Sequence, residues 1–137
     1  MAPFLVDRLA LGARAVAARL RAPALLGRRS LPDVLAALAP PHADRAVPRA
    51  VAEAAALDSE RLVGRLRVVP DTCLYRSLAR WVVLRRAGHA ARFVMALDPR
   101  SREIEGHAWV ELDGEPVGEA LEPGLAVTFT YPADVAA

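Results

Sequence analysis

The one cysteine of the chain, Cys73, stands where a thiol can act as a nucleophile. It follows the segment Pro70-Asp71-Thr72 and begins the run CLYRSLARWVVLRRAG, which has the marks of a helix. In the first turn of a helix, the unpaired N–H groups and the positive end of the macrodipole favour a thiolate. The same N–H groups can hold the oxyanion that forms when a thiolate attacks a carbonyl. The alternative is a small hydrophobic residue without chemistry of its own.

The second candidate is His107, which opens the strand-like segment His107–Leu112 directly after Gly106. Next to a thiolate, an imidazole acts first as general base and then as the acid that protonates a departing amine. A histidine at a strand start is otherwise a surface residue or a hydrogen-bonded core residue. We expect the other two histidines, His42 and His89, to be solvated loop residues.

A third group should orient the imidazole and stabilise its charged form. Four acidic residues lie close enough in the sequence: Glu111, Asp113, Glu115 and Glu119. We expect Asp113 in a turn and Glu111 and Glu115 in solvent. A three-residue hairpin loop would place Glu119 on the same face as His107, whereas the two-residue loop Asp113-Gly114 would turn it away. The sequence leaves this register open.

The elements that must position these groups indicate one α+β domain. Residues 1–60 form a helical lead-in, and residues 61–137 carry Cys73 and His107. The Cys73 helix is expected to be capped by Asp71 or Thr72 and to end at Gly88. The remaining expected elements are helices over 4–22, 30–38 and 48–57 and strands over 91–97, 107–112 and 116–121.

The first helix is expected to bury one apolar face and to expose a basic one. At about 100° per residue, one side of the helix collects the larger apolar residues. These are Leu5, Leu9, Val16 and Leu20. Arg14 and Arg21 fall on the opposite side, which we expect to be solvated and which is one possible docking surface for a partner protein. A helix lying on a membrane surface is the alternative.

The composition of the chain excludes several classes of protein. With 137 residues, of which 54% are hydrophobic and 25% charged, one domain can bury a core without disulfides or metals. A single cysteine excludes a disulfide framework, and a net charge of +2 is too small for a dedicated nucleic-acid binder. No apolar run approaches the ~20 residues of a membrane span. Early charges at Asp7 and Arg8 make the first segment a poor signal peptide, so we expect a cytoplasmic protein.

Four segments together resemble the transglutaminase-like superfamily. They are CLYRSL at 73–78, LRRAG at 84–88, ARFV at 91–94 and HAWVELDG at 107–114. More narrowly, they resemble the standalone leader peptidases of lasso-peptide biosynthesis, which are bacterial cysteine proteases. The resemblance covers about residues 60–122. It implies a transglutaminase-like, papain-like core, in which the long helix carrying the cysteine packs on an antiparallel sheet.

The resemblance also implies a Cys–His–acid triad that needs no metal or organic cofactor. Cys73 would be the nucleophile, His107 the acid and base, and Glu119 the third member, where the family usually has Asp. Two neighbours have two interpretations each. Trp109 could form a wall of the site or belong to the core, and Arg76 could raise the local potential or form a structural salt bridge.

Such proteins remove the leader from a ribosomally made precursor peptide, and the resemblance implies the same partners here. A small leader-recognition protein brings the precursor, and a separate ATP-dependent cyclase joins the exposed amine to an acidic side chain. Two alternatives stay open from the sequence. One is an amide-forming or acyl-transfer enzyme on the same scaffold, and the other is a non-catalytic binding module.

Overall fold

The computed structural model describes residues 3–38, 46–67, 71–102 and 106–132. Within these ranges, helices precede an antiparallel sheet with the strand order β3-β2-β1-β4, which confirms the α+β class. The helices are α1 (Leu5–Leu26), α2 (Leu31–Leu38), α3 (Arg49–Leu66) and α4 (Cys73–Arg86). The strands are β1 (Arg92–Leu97), β2 (Gly106–Leu112), β3 (Glu115–Pro116) and β4 (Ala126–Tyr131).

Helix α4 begins at Cys73 because Thr72 caps it. The backbone of Thr72 is extended, and its hydroxyl accepts a hydrogen bond from the Tyr75 N–H at 3.5 Å. Of the two caps that the sequence allowed, the structure therefore selects Thr72. The cap satisfies one of the unpaired N–H groups of the first turn and places Cys73 at the first helical position.

The other end of α4 is closed by the predicted glycine. Gly88 has a φ of +93°, in the left-handed region. Its N–H donates to the Arg85 carbonyl at 3.1 Å, and the His89 N–H donates to the Leu84 carbonyl at 3.0 Å. This pair of bonds is a Schellman motif, which turns the chain from α4 towards β1.

The orientation predicted for α1 is wrong. Leu5, Leu9 and Leu20 are exposed, and Val16 is only half-buried. The buried face is instead made mostly of alanine, with Leu11, Ala15, Ala18, Arg19 and Ala22. Because α1 packs against both α3 and α4, small side chains let the helix axes approach closely, which larger residues would prevent. Periodicity identified an apolar stripe but not the face that the other helices cover.

The predicted limits of two helices are also wrong. Helix α1 continues through Pro23 to Leu26, and α3 continues to Leu66 rather than stopping near residue 57. Helix α3 ends only where Arg67 takes a left-handed φ of +53°. Helix α2 agrees with its prediction, and the Ser30 hydroxyl accepts the Asp33 N–H at its start.

The sheet separates two apolar clusters. One face packs against the helices in the main core and carries Phe93, Ala108, Val110 and Leu112. The opposite face carries Val94, Ala96 and Trp109, with Leu121 and Leu125 packed against them. Because side chains alternate along a strand, His107 falls on the same face as Trp109. In the register of β1 and β2, His107 pairs with Ala96.

The third strand is much shorter than the predicted 116–121 strand. The hairpin has a two-residue loop, Asp113-Gly114, and β3 ends after Pro116. Gly118 then takes a φ of +77°, which turns the chain out of the sheet. Helix α4 covers the edge of β2 that a longer strand would have paired, since the Ser77 hydroxyl donates to the Ala108 carbonyl at 2.9 Å.

Candidate active site

The strongest polar contact of the predicted site joins His107 and Glu119. The distance from His107 Nε2 to Glu119 Oε1 is 2.6 Å, and both side chains are half-buried. With a two-residue hairpin loop, Glu119 was expected to face away from His107, and this expectation is wrong. The register of the hairpin does not determine which way Glu119 faces, because Glu119 follows the turn at Gly118 and is not part of a strand.

This contact assigns the two ring nitrogens of His107. A carboxylate accepts a hydrogen bond, so Nε2 carries the proton in the neutral imidazole. Nδ1 is then the nitrogen with a free lone pair and the one that can take a proton from a thiol. The contact has the geometry that a base and its orienting group would have in the predicted Cys–His–acid triad.

Trp109 supports the imidazole from the same face of β2. The two rings stack with their centroids 5.7 Å apart and their planes at 28°. Trp109 is 2% exposed, so it is a core residue that also contacts the site. Its indole N–H donates to Glu111 at 3.1 Å, which shows that Glu111 is not the solvated residue that was expected.

Cys73 lies at the rim of the main core, partly buried. Ser77, one helical turn further along the same side of α4, binds the carbonyl of the residue after His107. The two elements are thus joined four residues after Cys73, about 6 Å along the helix axis. Among the described residues, no hydrogen bond links Cys73 Sγ to His107. The structure brings His107 and Glu119 together and places Cys73 on the neighbouring element.

A carboxylate close to Cys73 binds two arginines. Oδ1 of Asp71, two residues before the thiol, accepts hydrogen bonds from Arg19 and Arg76, each at 3.3 Å. Arg76 therefore makes the salt bridge that was one of its two interpretations.

A cleft of about 330 Å³ opens beside the imidazole. Its lining includes His107 and Glu119 but not Cys73. The other lining residues are Asp98, Gly106, Ala120, Glu122 and Leu125. The pKa of Asp98 is below its usual value, chiefly because the Arg100 backbone N–H donates to its carboxylate. The histidine side of the site is thus open and acidic.

His89 lies away from this site. His89 is half-buried, and its Nε2 lies 2.8 Å from the Val47 carbonyl. The expectation of a solvated loop residue is therefore wrong for His89, which ties the end of α4 to the segment before α3. His42 lies outside the described residues. Within the described ranges, no group of His, Cys, Asp and Glu side chains could hold a metal ion.

Sequence reasoning did not identify Arg80 as part of the site. Its Nη1 donates to Glu119 Oε2 at 3.1 Å, and its Nε and Nη2 bind Glu60 at 2.6 and 3.2 Å. Burial, the largest single influence, lowers the pKa of Arg80, but Glu60 and Glu119 together raise it above its usual value. The available signal was spacing, since Arg80 comes seven residues after Cys73, on the same side of the helix.

Comparison with known protein families gives one match. A family model described as the transglutaminase-like superfamily matches residues 9–131. Searches of the curated proteins and of the solved structures give no match. None of the helices in the described part of the chain has both the length and the apolar composition that crossing a membrane requires.

Proposed function

Since the chain belongs to the transglutaminase-like superfamily, which includes cysteine peptidases, we propose that it is a cysteine peptidase that removes the leader of a lasso-peptide precursor. The observation that carries the proposal is the His107–Glu119 bond at 2.6 Å. It supplies an oriented base on a strand whose sequence, with that of the Cys73 helix, resembles the leader peptidases. A reducing cytoplasm suits this chemistry, because it keeps the thiol of Cys73 free.

In the mechanism that we propose, the bond between leader and core is cleaved in two steps. His107 Nδ1 takes the Cys73 proton, and the thiolate adds to the scissile carbonyl. The N–H of Cys73, which has no partner within the helix, holds the oxyanion. His107 returns the proton to the departing amine of the core peptide, which leaves the leader as a thioester on Cys73. His107 then takes a proton from water, and the hydroxide releases the leader as a carboxylic acid.

Glu119 orients the imidazole in both steps and stabilises its protonated form. The missing hydrogen bond between Cys73 and His107 is compatible with these steps, because such contacts often tighten only when substrate binds. The Ser77–Ala108 bond supports the proposal, since it fixes α4 against β2 close to both groups.

The partner that we propose is a small leader-recognition protein, docked on the outer side of α1. Leu5, Leu9 and Leu20 form an exposed apolar stripe there, and Arg14 and Arg21 are exposed as well. Exposed apolar surface of this kind is typical of protein interfaces. The two arginines lie on a different side of the helix from the leucines and would suit an acidic region of the partner. The product amine would then be the substrate of a separate ATP-dependent cyclase.

The test is cleavage of a lasso precursor, followed by mass spectrometry with and without the recognition protein. We expect weak cleavage by this protein alone and a strong increase with the partner, which raises the local precursor concentration. Cys73→Ala should keep the wild-type melting temperature, because alanine suits a helix, and should abolish cleavage. His107→Ala should be comparably severe.

Each contrary outcome is informative. If Cys73→Ala retained more than about a hundredth of wild-type cleavage, a thiolate nucleophile would be untenable. A product carrying a new amine instead of an added water would identify an acyl-transfer enzyme. A Cys73 thiol that iodoacetamide alkylates no faster than a free thiol at pH 6 would favour a binding module.

A further inference from the structure

We propose that Arg80 is a positioning residue, which holds the Glu119 carboxylate in the one orientation that binds His107. The inference deepens the proposed peptidase function and rests on it for one of its readouts. It depends on a chain of contacts that joins three parts of the molecule: helix α3, helix α4 and the segment that follows β3.

The two oxygens of Glu119 are used separately. Oε1 lies 2.6 Å from His107 Nε2, and Oε2 lies 3.1 Å from Arg80 Nη1. A carboxylate with one partner can rotate about its last side-chain bond, whereas one held at both oxygens cannot. Arg80 therefore fixes the plane in which Glu119 presents Oε1 to the imidazole.

Arg80 can serve as an anchor because it is itself immobilised. Its Nε and Nη2 form a fork on the Glu60 carboxylate in α3, and its Nη1 also reaches the Val117 carbonyl at 3.4 Å. The side chains of Arg80 and Glu60 are only 14% and 13% exposed. A charged fork between two rigid helices is a more precise support than a loop.

In the described part of the chain, the Glu119 carboxylate has hydrogen bonds only with His107 and Arg80. Strand β3 ends at Pro116, so no ladder of backbone hydrogen bonds reaches Glu119. A glutamate side chain has several rotatable bonds, and the contact with Arg80 restrains this freedom.

The backbone next to Glu119 leaves room for the guanidinium. A Cβ added to Gly118 would lie 3.4 Å from Arg80 Cζ and 3.5 Å from Nη1, which is ordinary van der Waals contact. The turn at Gly118, with its φ of +77°, thus runs directly alongside the guanidinium before the chain reaches Glu119.

Four variants test the inference. Arg80→Met removes the donors and the charge at similar length, and Arg80→Lys restores the charge. Because Arg80→Met leaves the buried Glu60 without its partner, the double variant Arg80→Met/Glu60→Met keeps the fold testable. Arg85→Met is the matched control, since Arg85 is a partly buried arginine on the same helix that contacts Trp81 and the Ala91 carbonyl.

Two readouts distinguish positioning from a purely structural role. In the double variant, we expect kcat for precursor cleavage to fall about 10- to 100-fold with little change in KM, as misplaced catalytic groups produce. Arg80→Lys should recover most of this loss. By NMR, the proton on His107 Nε2 should give a downfield signal in the wild type and in Arg80→Lys, and this signal should be lost in the double variant. Arg85→Met should change neither readout.

A folded double variant with wild-type kcat and an unchanged His107 signal would overturn the inference. A kcat that falls only in proportion to the melting temperature, with the His107 signal intact, would also overturn it. If the wild type cleaves no precursor, the proposed function fails, but the NMR comparison still decides whether Arg80 holds Glu119.

Discussion

The length of the Glu119 side chain lets its carboxylate contact two groups at once. It spans the distance between His107 on one side and Arg80 on the other. A shorter side chain cannot reach both groups unless the backbone after Gly118 moves.

Two substitutions of Glu119 should distinguish the effect of its side-chain length on kcat from the effect of its charge. Glu119→Asp keeps the charge but loses one of the two contacts, and we expect about a 10-fold loss of kcat, comparable to other small misplacements. Glu119→Gln keeps the reach but stabilises the imidazolium much less, so a loss of about 10²- to 10⁴-fold is expected. The measurement is steady-state precursor cleavage. Equal losses in the two variants would contradict the separate use of the two oxygens.

At the residue scale, sequence and resemblance could single out Cys73, His107 and Glu119, whose catalytic roles remain predictions. They could not single out Arg80. Its partners lie 20 and 39 residues away, and its contact with Glu119 exists only because β3 stops early. A side chain whose role depends on an irregular segment leaves no local pattern in the sequence.

At the scale of secondary-structure elements, the turn at Gly118 leads the chain from β3 to Glu119. Gly114, in the neighbouring hairpin, has almost the same φ, +78° against +77°, but a Cβ there would meet nothing within 4 Å. The two glycines thus share a backbone conformation and differ in their surroundings, which makes them a matched pair.

Alanine at either glycine should destabilise the protein by about 1–2 kcal/mol, because L-residues are strained in the left-handed region. Only Gly118→Ala should also lower cleavage, because a strained turn at residue 118 displaces Glu119, the next residue, from its contacts with His107 and Arg80. Thermal unfolding and cleavage assays of both variants check this. An equal fall in activity for Gly114→Ala would show that lower stability, rather than the position of Glu119, is responsible.

Elements whose two ends are specified locally were the most predictable. Helix α4 has a threonine cap at one end and a left-handed glycine at the other, and its observed limits agree with the prediction. Strand β4 was not predicted, although Val127, Phe129 and Tyr131 alternate with threonines as in a strand. Its place beside β1 is decided by tertiary pairing.

At the scale of the whole molecule, the unexpected feature is the orientation of α1. The sequence contains two candidate stripes, one of leucines and one of alanines, and hydrophobicity favours the leucines. Packing between α3 and α4 favours the alanines instead. The choice depends on how closely neighbouring helices approach, which a single helix cannot reveal.

Two leucines of α1 test this orientation. Leu11 is 7% exposed and Leu9 is 65% exposed. Leu11→Ala should lower the free energy of unfolding by about 2–5 kcal/mol, as core truncations do. Leu9→Ala should change it by less than about 0.5 kcal/mol. Leu9→Ala should nevertheless weaken stimulation by the recognition protein if the exposed apolar stripe of α1 is its docking surface. Denaturant unfolding and partner-stimulated cleavage are the measurements, and the reverse order of stabilities would refute the orientation.

Strand β4 closes one side of the sheet, and in the described part of the chain no strand lies beyond it. Its six residues, AVTFTY, carry no charge and contain no proline. An open edge of this kind is a template on which a further extended chain can add, and short uncharged segments of high β-propensity are those that form fibrils. The protein is therefore exposed to concentration-dependent aggregation at this edge, however stable each folded molecule is.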